Sequence, residues 1–225
     1  TLRSLPAPTL AEARRQASDV ALALLEESRD AVHKVATHAK TLIKEGYTVV
    51  THSLSSTVLE VFKSLQAAHI QVIVTESRPL YEGRLVAARL SEWAISTTLI
   101  TDAQLGLFVP QADIALLGAD SVLADGSVIN KAGTYVLALA AYDYQVPVYV
   151  CAESFKHRPA HLPEPTLEEM DPAELGPAQT QSLPYVRVRN IYFDRTPARL
   201  ISGWVDEHGV QLNDRSGFNV QFSDR

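Results

Sequence analysis

The stretch Asp113-Ile114-Ala115-Leu116-Leu117-Gly118-Ala119-Asp120 decides the fold of this chain. Its continuous apolar run is typical of a strand buried on both faces, as in a parallel sheet. A carboxylate, that of Asp120, follows at the end of the run. Because open α/β sheets bind ligands outside the carboxyl ends of their strands, this stretch predicts both a fold class and the place of a site.

Strand-like and helix-like segments alternate on both sides of this stretch. We predict five strands, four helices and one small hairpin between residues 46 and 151. The predicted strands are 47–51, 70–75, 95–101, 113–117 and 146–151; the helices are 55–68, 83–93, 103–108 and 133–144; the hairpin turns at 124–126. This order predicts an α/β fold, a Rossmann-like doubly wound and mostly parallel sheet.

A short helical segment precedes the predicted sheet. Apolar residues recur near the 3.6-residue period from Leu10 to the end of a segment that we bound at residues 1–45. Residues 27–30, Glu-Ser-Arg-Asp, are a candidate break in that helix. The Rossmann-like domain then covers residues 46–212, and a polar tail covers residues 213–225.

The last third of the chain is less regular. Residues 157–184 hold six of the twelve prolines, which predicts a long irregular lid or arm. Regular structure is expected again at 185–192. Thr196 before Pro197 then predicts an N-cap and a helix over 197–204, ended by Gly209.

Composition excludes several classes of protein. The 225 residues carry a formal net charge of -6, so no overall positive field attracts nucleic acid. No run of about 18 apolar residues predicts a membrane span. The single cysteine, Cys151, allows no intramolecular disulfide, and the N-terminus does not resemble a signal peptide. We therefore expect a cytoplasmic protein.

Two loops that follow predicted strands carry candidate polar residues. Ser53, after the first strand, is a candidate nucleophile, hydrogen-bond donor or helix cap, and its neighbour His52 is expected to be a packed histidine. Arg78, after the second strand, is suited to bind a phosphate or, alternatively, to pair with Glu76 or Asp102.

Two further loops complete the candidate site. Asp120 is a candidate acid or base, or a turn cap, and Lys156 is a candidate phosphate ligand. Asn130 and Lys131 are suited to hold a sugar hydroxyl and a phosphate, or to cap a helix and lie in solvent. A Gly133-Thr134 step then opens a helix whose free N–H groups favour an anion.

The same loops argue against cofactors and metals. No Gly-x-Gly-x-x-Gly pattern follows a strand, and no Gly-x-x-x-x-Gly-Lys-Ser/Thr pattern is present, so neither a dinucleotide cofactor nor P-loop chemistry is predicted. The seven histidines show no metal-ligand spacing, so no metal is expected. Cys151 lies in an apolar strand and is expected to be an inert core residue.

Four motifs together resemble one known superfamily. They are Thr-Glu-Ser-Arg-Pro (75–79), Gly-Ala-Asp-Ser-Val-Leu-Ala-Asp-Gly-Ser-Val-Ile-Asn-Lys-Ala-Gly-Thr (118–134), Ala-Glu-Ser-Phe-Lys (152–156) and Phe-Asp-Arg-Thr-Pro (193–197). In this order they are similar to the alpha, beta and delta subunits of translation initiation factor 2B. That superfamily also contains methylthioribose-1-phosphate isomerase and archaeal ribose-1,5-bisphosphate isomerase. The resemblance covers 43–209.

The resemblance implies a homodimer in which each chain has a helical N-terminal domain and a Rossmann-like C-terminal domain. For the isomerases it implies the ring opening of an aldose 1-phosphate and its conversion to a ketose without a cofactor. A cysteine and an aspartate carry that conversion, and the aspartate matches Asp120. The superfamily's Asn-Lys pair matches Asn130 and Lys131, its arginine matches Arg78, and its lysine matches Lys156.

Two departures shift the expected function from turnover toward binding. Ser53 stands where the isomerases have cysteine, and a hydroxyl ionises far less readily than a thiol. The Arg-Gly-Ala loop that grips substrate in the isomerases is absent. We expect a protein that binds a phosphorylated sugar of the ribose-phosphate type in a regulatory role; an active aldose–ketose isomerase and a non-catalytic assembly subunit with a protein partner are the alternatives.

Overall fold

A computed structural model describes residues 9–176 and 183–214 of the chain. Its elements confirm the predicted alternation, and their bounds lie within a few residues of the predicted ones. The helices are α1 (Leu10–Lys40), α2 (Ser56–Ser64), α3 (Glu82–Glu92), α4 (Leu105–Phe108) and α5 (Thr134–Asp143). The strands are β1 (Thr48–Thr51), β2 (Gln71–Thr75), β3 (Ser96–Ile100), β4 (Ile114–Leu117), β5 (Ser121–Val122), β6 (Val128–Lys131), β7 (Val148–Cys151), β8 (Phe193–Thr196), β9 (Gly203–Asp206) and β10 (Gly209–Leu212).

The main sheet has the order β10-β9-β7-β4-β1-β2-β3. Every neighbouring pair is parallel except β9 and β10, which form an antiparallel hairpin at one edge. A second sheet of β5, β6 and β8 is antiparallel. The main sheet runs outward in both directions from β1 and β4, so these two strands mark the topological switch point, where open α/β sheets bind ligands.

Helices cover both faces of the main sheet, as the continuous apolar strands predict. Neighbouring residues of β1 point to opposite faces: Val49 packs in a core with α1, α2 and α3, and Val50 in a core with α4 and α5. All four residues of β4 are buried. The sheet is therefore doubly wound, and its apolar centre holds the loops at its carboxyl edge in fixed positions.

Helix α1 is one unbroken helix, so the break predicted at residues 27–30 is wrong. Its side-chain N-cap is Thr9, whose hydroxyl accepts the Glu12 N–H at 3.2 Å. Glu and Arg are good helix formers, and single Ser or Asp residues are tolerated within a long helix. The buried residues of α1 all lie in its last third, at Ala31, Val35, Ala36 and Ala39.

The helix predicted over residues 197–204 is also wrong. Only one 3-10 turn, Ala198–Leu200, follows Pro197, and the chain then enters β9. Strand β9 pairs with β7 over Tyr149–Cys151, a long-range contact that local sequence periodicity does not report. Gly209 begins β10 rather than ending a helix.

Two other predictions concern the irregular part of the chain. The regular structure expected at 185–192 reduces to an isolated bridge between Ile191 and Glu169. Residues 157–176 are irregular apart from the 3-10 turn Pro172–Leu175, as predicted. Most of the predicted polar tail, 215–225, lies outside the described residues.

Candidate functional site

A cavity of about 350 Å³ lies at the carboxyl ends of β1 and β4, the switch point of the sheet. This volume falls in the range of small-molecule sites, about 300–1,000 Å³. Its lining residues are Ser53, Leu54, Ser55, Ser56, Glu82, Ala119, Asp120, Asn130, Lys131, Lys156, Tyr192 and Phe193. Five residues predicted from the sequence meet in it: Ser53, Asp120, Asn130, Lys131 and Lys156.

Ser53 leaves β1 in a left-handed backbone conformation, with φ of 64°, which few residues other than glycine adopt. Its N–H donates to the Ser77 Oγ at 2.8 Å, and its own Oγ donates to Glu82 Oε2 at 3.1 Å. The helix cap of this loop is a different serine, Ser55, which accepts the Val58 N–H. Ser53 is therefore tied to Glu82 at one end of the cavity.

Lys131 is held between a carboxylate and an aromatic ring. Its Nζ lies 3.0 Å from Glu82 Oε2 and 4.1 Å from the centroid of the Tyr192 ring. Only 7% of its side chain is exposed. A buried ammonium needs such partners, so Lys131 is an anchored charge at the Ser53 end of the cavity rather than a lysine in solvent.

Lys156 forms the second cationic position. Its Nζ lies 3.0 Å from Glu153 Oε2, and 24% of its side chain is exposed. Glu153 is almost fully buried, and its other oxygen accepts the Thr57 hydroxyl at 2.6 Å. This chain of contacts fixes the lysine beside the first turn of α2.

Asp120 lines the cavity, and its carboxyl group is about half-buried there. Its N–H donates to the Ile129 carbonyl at 2.9 Å, which ties it to the β5–β6 hairpin. Burial of the carboxyl by surrounding protein raises its pKa, and the charges of Lys156 and Lys131 partly offset that rise. Asp120 thus takes up a proton at a higher pH than an ordinary aspartate, which suits acid–base chemistry.

The other predicted residues have different positions. The Asn130 amide lines the cavity while its Nδ2 donates to Thr134 Oγ1 at 2.9 Å, and that hydroxyl donates to the Lys131 carbonyl. Thr134 is fully buried and is not among the cavity's lining residues. The Gly133 N–H donates to Asp194 at 2.7 Å, and a side chain on Gly133 would collide with the His52 ring.

Arg78 is not among the residues that line the cavity. Its guanidinium donates to the Tyr81 hydroxyl and to the Leu175 carbonyl, and it lies over the Tyr81 ring. Neither Glu76 nor Asp102 pairs with that guanidinium: Glu76 pairs with Arg84, and Asp102 accepts the backbone N–H of Arg78. Arg78 therefore links the loop that follows β2 to the 3-10 turn at residues 172–175.

His52 and Cys151 are packed residues, as predicted. Burial lowers the pKa of His52, so its ring is neutral. The ring Nε2 donates a hydrogen bond to the Ala132 carbonyl at 2.9 Å. The unprotonated Nδ1 then accepts a hydrogen bond from the Thr75 hydroxyl at 2.6 Å. Burial raises the pKa of Cys151 to about 12. The thiol is not a nucleophile at neutral pH.

Sequence reasoning missed Glu82, Tyr192 and Glu153. Glu82 is the first residue of α3 and follows β2, so its place after a strand was an available signal. Tyr192 reaches the cavity from the distant β8 segment, which no local pattern reports. In the described part of the chain, no cluster of three or more His, Cys, Asp or Glu residues could hold a metal ion. No helix within residues 9–176 and 183–214 is long and apolar enough to cross a membrane.

The doubly wound sheet with a polar cavity at its switch point places the chain in the class of open α/β proteins with a Rossmann-like sheet. Residues 3–212 match the model of the Initiation factor 2 subunit family, and the chain belongs to that family.

Two relatives illustrate the breadth of that family. A translation initiation factor eIF-2B subunit 2-like protein of Pyrococcus abyssi is 41% identical over 198 residues, 87% of this chain and 68% of the relative. A ribose 1,5-bisphosphate isomerase of Archaeoglobus fulgidus is 39% identical over 184 residues, 80% of this chain and 58% of the relative. The chain thus spans about three fifths to two thirds of these relatives.

Solved structures share the fold. That of a Pyrococcus horikoshii translation initiation factor eIF-2B superposes with a TM-score of 0.77 at 39% identity, covering 87% of this chain and 69% of the other. That of 5-methylthioribose 1-phosphate isomerase from the same organism superposes with a TM-score of 0.79 at 25% identity, covering 91% and 62%. The isomerases and the initiation-factor subunits are therefore one structural family with this chain.

Proposed function

We propose that this chain binds a phosphorylated sugar of the ribose-phosphate type in the cavity at the switch point. The observation that carries the proposal is the convergence of two ammonium groups, an amide, two carboxyl groups and serine hydroxyls in a volume of about 350 Å³. Lys156 and the first turn of α2 favour a phosphate. Asn130, Asp120 and Glu82 supply hydrogen-bond partners for sugar hydroxyls.

The names of two relatives support a ligand of this chemistry. One is called a ribose 1,5-bisphosphate isomerase and the other a 5-methylthioribose 1-phosphate isomerase, and both names specify a phosphorylated ribose. Of the three cation positions of the resemblance, Lys131 and Lys156 line the cavity, whereas Arg78 does not. These side chains are best suited to binding the sugar without converting it, with its phosphate held by Lys156.

Isothermal titration calorimetry at low salt tests the binding proposal. The panel contains ribose 1-phosphate, ribose 5-phosphate, ribose 1,5-bisphosphate and methylthioribose 1-phosphate, with free ribose and inorganic phosphate as controls. We expect at least one phosphorylated sugar to bind at least about 10-fold more tightly than either control, since each charge-assisted hydrogen bond contributes about 1.5–3 kcal/mol. No heat with any phosphorylated sugar would overturn the proposal.

Turnover of the bound sugar is a second candidate function, and Asp120 is the observation that favours it. Aldose–ketose isomerisation moves a proton between neighbouring carbons, and a carboxyl group with a raised pKa in the cavity wall can accept and return that proton. Ser53 supplies a hydroxyl where the isomerases have a thiol. Incubation with each aldose 1-phosphate and analysis of the products by NMR tests this role: ketose formation that Asp120→Asn abolishes supports it, and equal inactivity of both proteins excludes it.

We also propose that the chain forms a homodimer. Helix α5 is apolar on both sides: Leu137, Ala138 and Ala141 are buried in the core, whereas Val136 and Leu139 are 52% and 37% exposed. A helix that is apolar all round is normally buried on all sides. A second copy of the chain, which the family resemblance implies, is the partner that we assign to the outer face of α5.

A further inference from the structure

The two lysines of the cavity are already neutralised by carboxylates. Lys131 Nζ pairs with Glu82 Oε2, and Lys156 Nζ pairs with Glu153 Oε2, each at 3.0 Å. Asp120 adds a third carboxyl group, which lines the cavity. The charges of the two ammonium groups are thus balanced by carboxyl groups in and behind the cavity wall, and the cavity has no surplus of positive charge for a ligand with two phosphates.

The two ends of the cavity differ in how this charge is presented. At one end, Glu153 is buried behind Lys156, so the ammonium faces the cavity and its carboxylate does not. At the other end the order is reversed: Lys131 is 7% exposed, whereas Glu82 is 25% exposed and lines the cavity with it. A ligand group at the Ser53 end therefore meets the Glu82 carboxylate more readily than the Lys131 ammonium.

Glu82 Oε2 is also the acceptor for the Ser53 hydroxyl at 3.1 Å. A carboxylate in this position accepts hydrogen bonds from hydroxyl groups and repels phosphate oxygens, since it has no proton to donate when ionised. Repulsion between two like charges that lie close together in a site with little water lowers the affinity for the ligand.

We propose that Glu82 determines ligand specificity by accepting a sugar hydroxyl at the Ser53 end and excluding a second phosphate there. The ligand is then a sugar monophosphate, with its phosphate at Lys156 and its hydroxyls toward Glu82. This inference rests on the proposed sugar-phosphate binding, and it separates this chain from the relative that is named for a bisphosphate.

Calorimetric titration of ribose 1-phosphate, ribose 5-phosphate and ribose 1,5-bisphosphate tests the inference on the wild type and on Glu82→Gln. We expect the wild type to bind the better monophosphate at least about 10-fold more tightly than the bisphosphate. Glu82→Gln keeps the size and an acceptor but removes the charge. It should raise the affinity for the bisphosphate by about 10-fold or more relative to that for the monophosphate, so that the wild-type preference is lost.

Glu60→Gln is the matched control. Glu60 also pairs with a lysine, and its side chain is 24% exposed, close to the 25% of Glu82, but it lies on α2 and does not line the cavity. It should leave both affinities unchanged. Thermal unfolding verifies that each variant is folded; if Glu82→Gln does not fold, the ligand preference of the wild type decides alone.

The outcome that overturns the inference is a wild type that binds the bisphosphate as tightly as or more tightly than the monophosphates, or an unchanged preference in folded Glu82→Gln. Failure of the underlying binding proposal is a different result, since no phosphorylated sugar would then bind to either protein.

Discussion

At the scale of single residues, the cavity is defined by charges whose positions are fixed by partners outside it. Lys156 is held by the buried Glu153, which is itself held by Thr57, and Lys131 is held by Glu82 and the Tyr192 ring. Prearranged charges of this kind lose little freedom when a ligand arrives. The site is therefore organised before any ligand binds.

Replacing Lys156 tests its role as the phosphate ligand. Lys156→Met removes the ammonium while retaining an unbranched apolar stem, and we expect the affinity for the sugar phosphate to fall by about 10-fold to 100-fold, since a hydrogen bond to a charged group is worth about 1.5–3 kcal/mol. Calorimetry provides the measurement. Lys63→Met, on the α2 surface with 53% of its side chain exposed, is the control and should change nothing. Equal affinities in the wild type and Lys156→Met would contradict the assignment.

The pH dependence of binding tests the state of Asp120. Its pKa is raised mainly by burial, so the group becomes protonated at a pH above that of an ordinary aspartate. Protonation removes a negative charge beside the ligand's phosphate, and binding should therefore tighten as the pH falls toward that pKa and weaken as it rises through it. The ratio of wild-type to Asp120→Asn affinities isolates this effect, because the ligand's own ionisation is common to both. A ratio constant between pH 4 and 7 would contradict the prediction.

At the scale of elements, each loop of the site is placed by a strand or a helix end. Asp194 of β8 accepts N–H groups of Gly133 and Tyr135 at 2.7 Å and 3.2 Å, and so caps the start of α5 directly after Lys131. Strand β8, which carries most of the Phe-Asp-Arg-Thr-Pro motif, pairs with the Asn-Lys strand β6 and so holds that strand and the start of α5 in one arrangement. Thr196, which the sequence predicts as the N-cap of a helix over 197–204, is instead the last residue of β8.

Removal of this cap should be measurable as lost stability. Asp194→Ala leaves two N–H groups at a partly buried helix start without their acceptor, which costs about 1–2 kcal/mol. For a chain of this size, we expect Tm to fall by about 2–8 °C. Differential scanning calorimetry measures it, with the exposed Asp143→Ala at the other end of α5 as the control. An unchanged Tm for Asp194→Ala would show that another group satisfies the N–H donors.

The sequence predicted the elements that have a clear apolar pattern of their own. It missed those that are determined by pairing with a distant strand. Strand β4 and helix α5 have a clear apolar pattern. The apolar periodicity of α1 predicted a helix, but it did not predict that the helix continues through Ser28 and Asp30. The region of β9 has apolar residues at spacings that suit a helix or a strand, and the neighbouring strand β7 decides between them. Only a pattern that includes the partner strand could have predicted β9.

The candidate site shows the same division. Ser53 and Asp120 follow adjacent strands at the switch point, so sequence order and topology bring them together. Arg78 also follows a strand, but its guanidinium turns to Tyr81 and Leu175, contacts that depend on the irregular segment. Glu82 lies four residues beyond Arg78 and faces the cavity instead. The backbone fold determines where a loop lies. The direction of each side chain depends on contacts with residues that are distant in the sequence.

At the scale of the whole molecule, the described residues form a doubly wound sheet with a long helix packed along one face. Helix α1 contacts α2 and the β9–β10 edge through its last third. Apolar side chains of its first two thirds, among them Leu22, Leu24 and Leu25, are more than half exposed. The fully buried contacts of α1 with the rest of the domain are therefore concentrated in its last third.

The outer face of α5 should mediate the homodimer. The double substitution Val136→Glu and Leu139→Glu places two charges on that face, and we expect it to convert a dimer to a monomer because buried unpaired charges are costly. Light scattering coupled to size-exclusion chromatography measures the mass. Leu22→Glu, at a position of similar exposure on α1, should leave the dimer intact. A monomeric wild type, or a double variant that stays dimeric, would contradict the proposal.

The most direct test of the binding site is a crystal structure of the chain with the phosphorylated sugar that calorimetry ranks first. We predict that its phosphate lies within hydrogen-bond distance of Lys156 Nζ, with the sugar hydroxyls between Asp120, Asn130 and Glu82. Density for the ligand elsewhere, for example in the larger cavity beside Trp204 and Arg199, or an empty switch-point cavity at saturating ligand, would contradict the account.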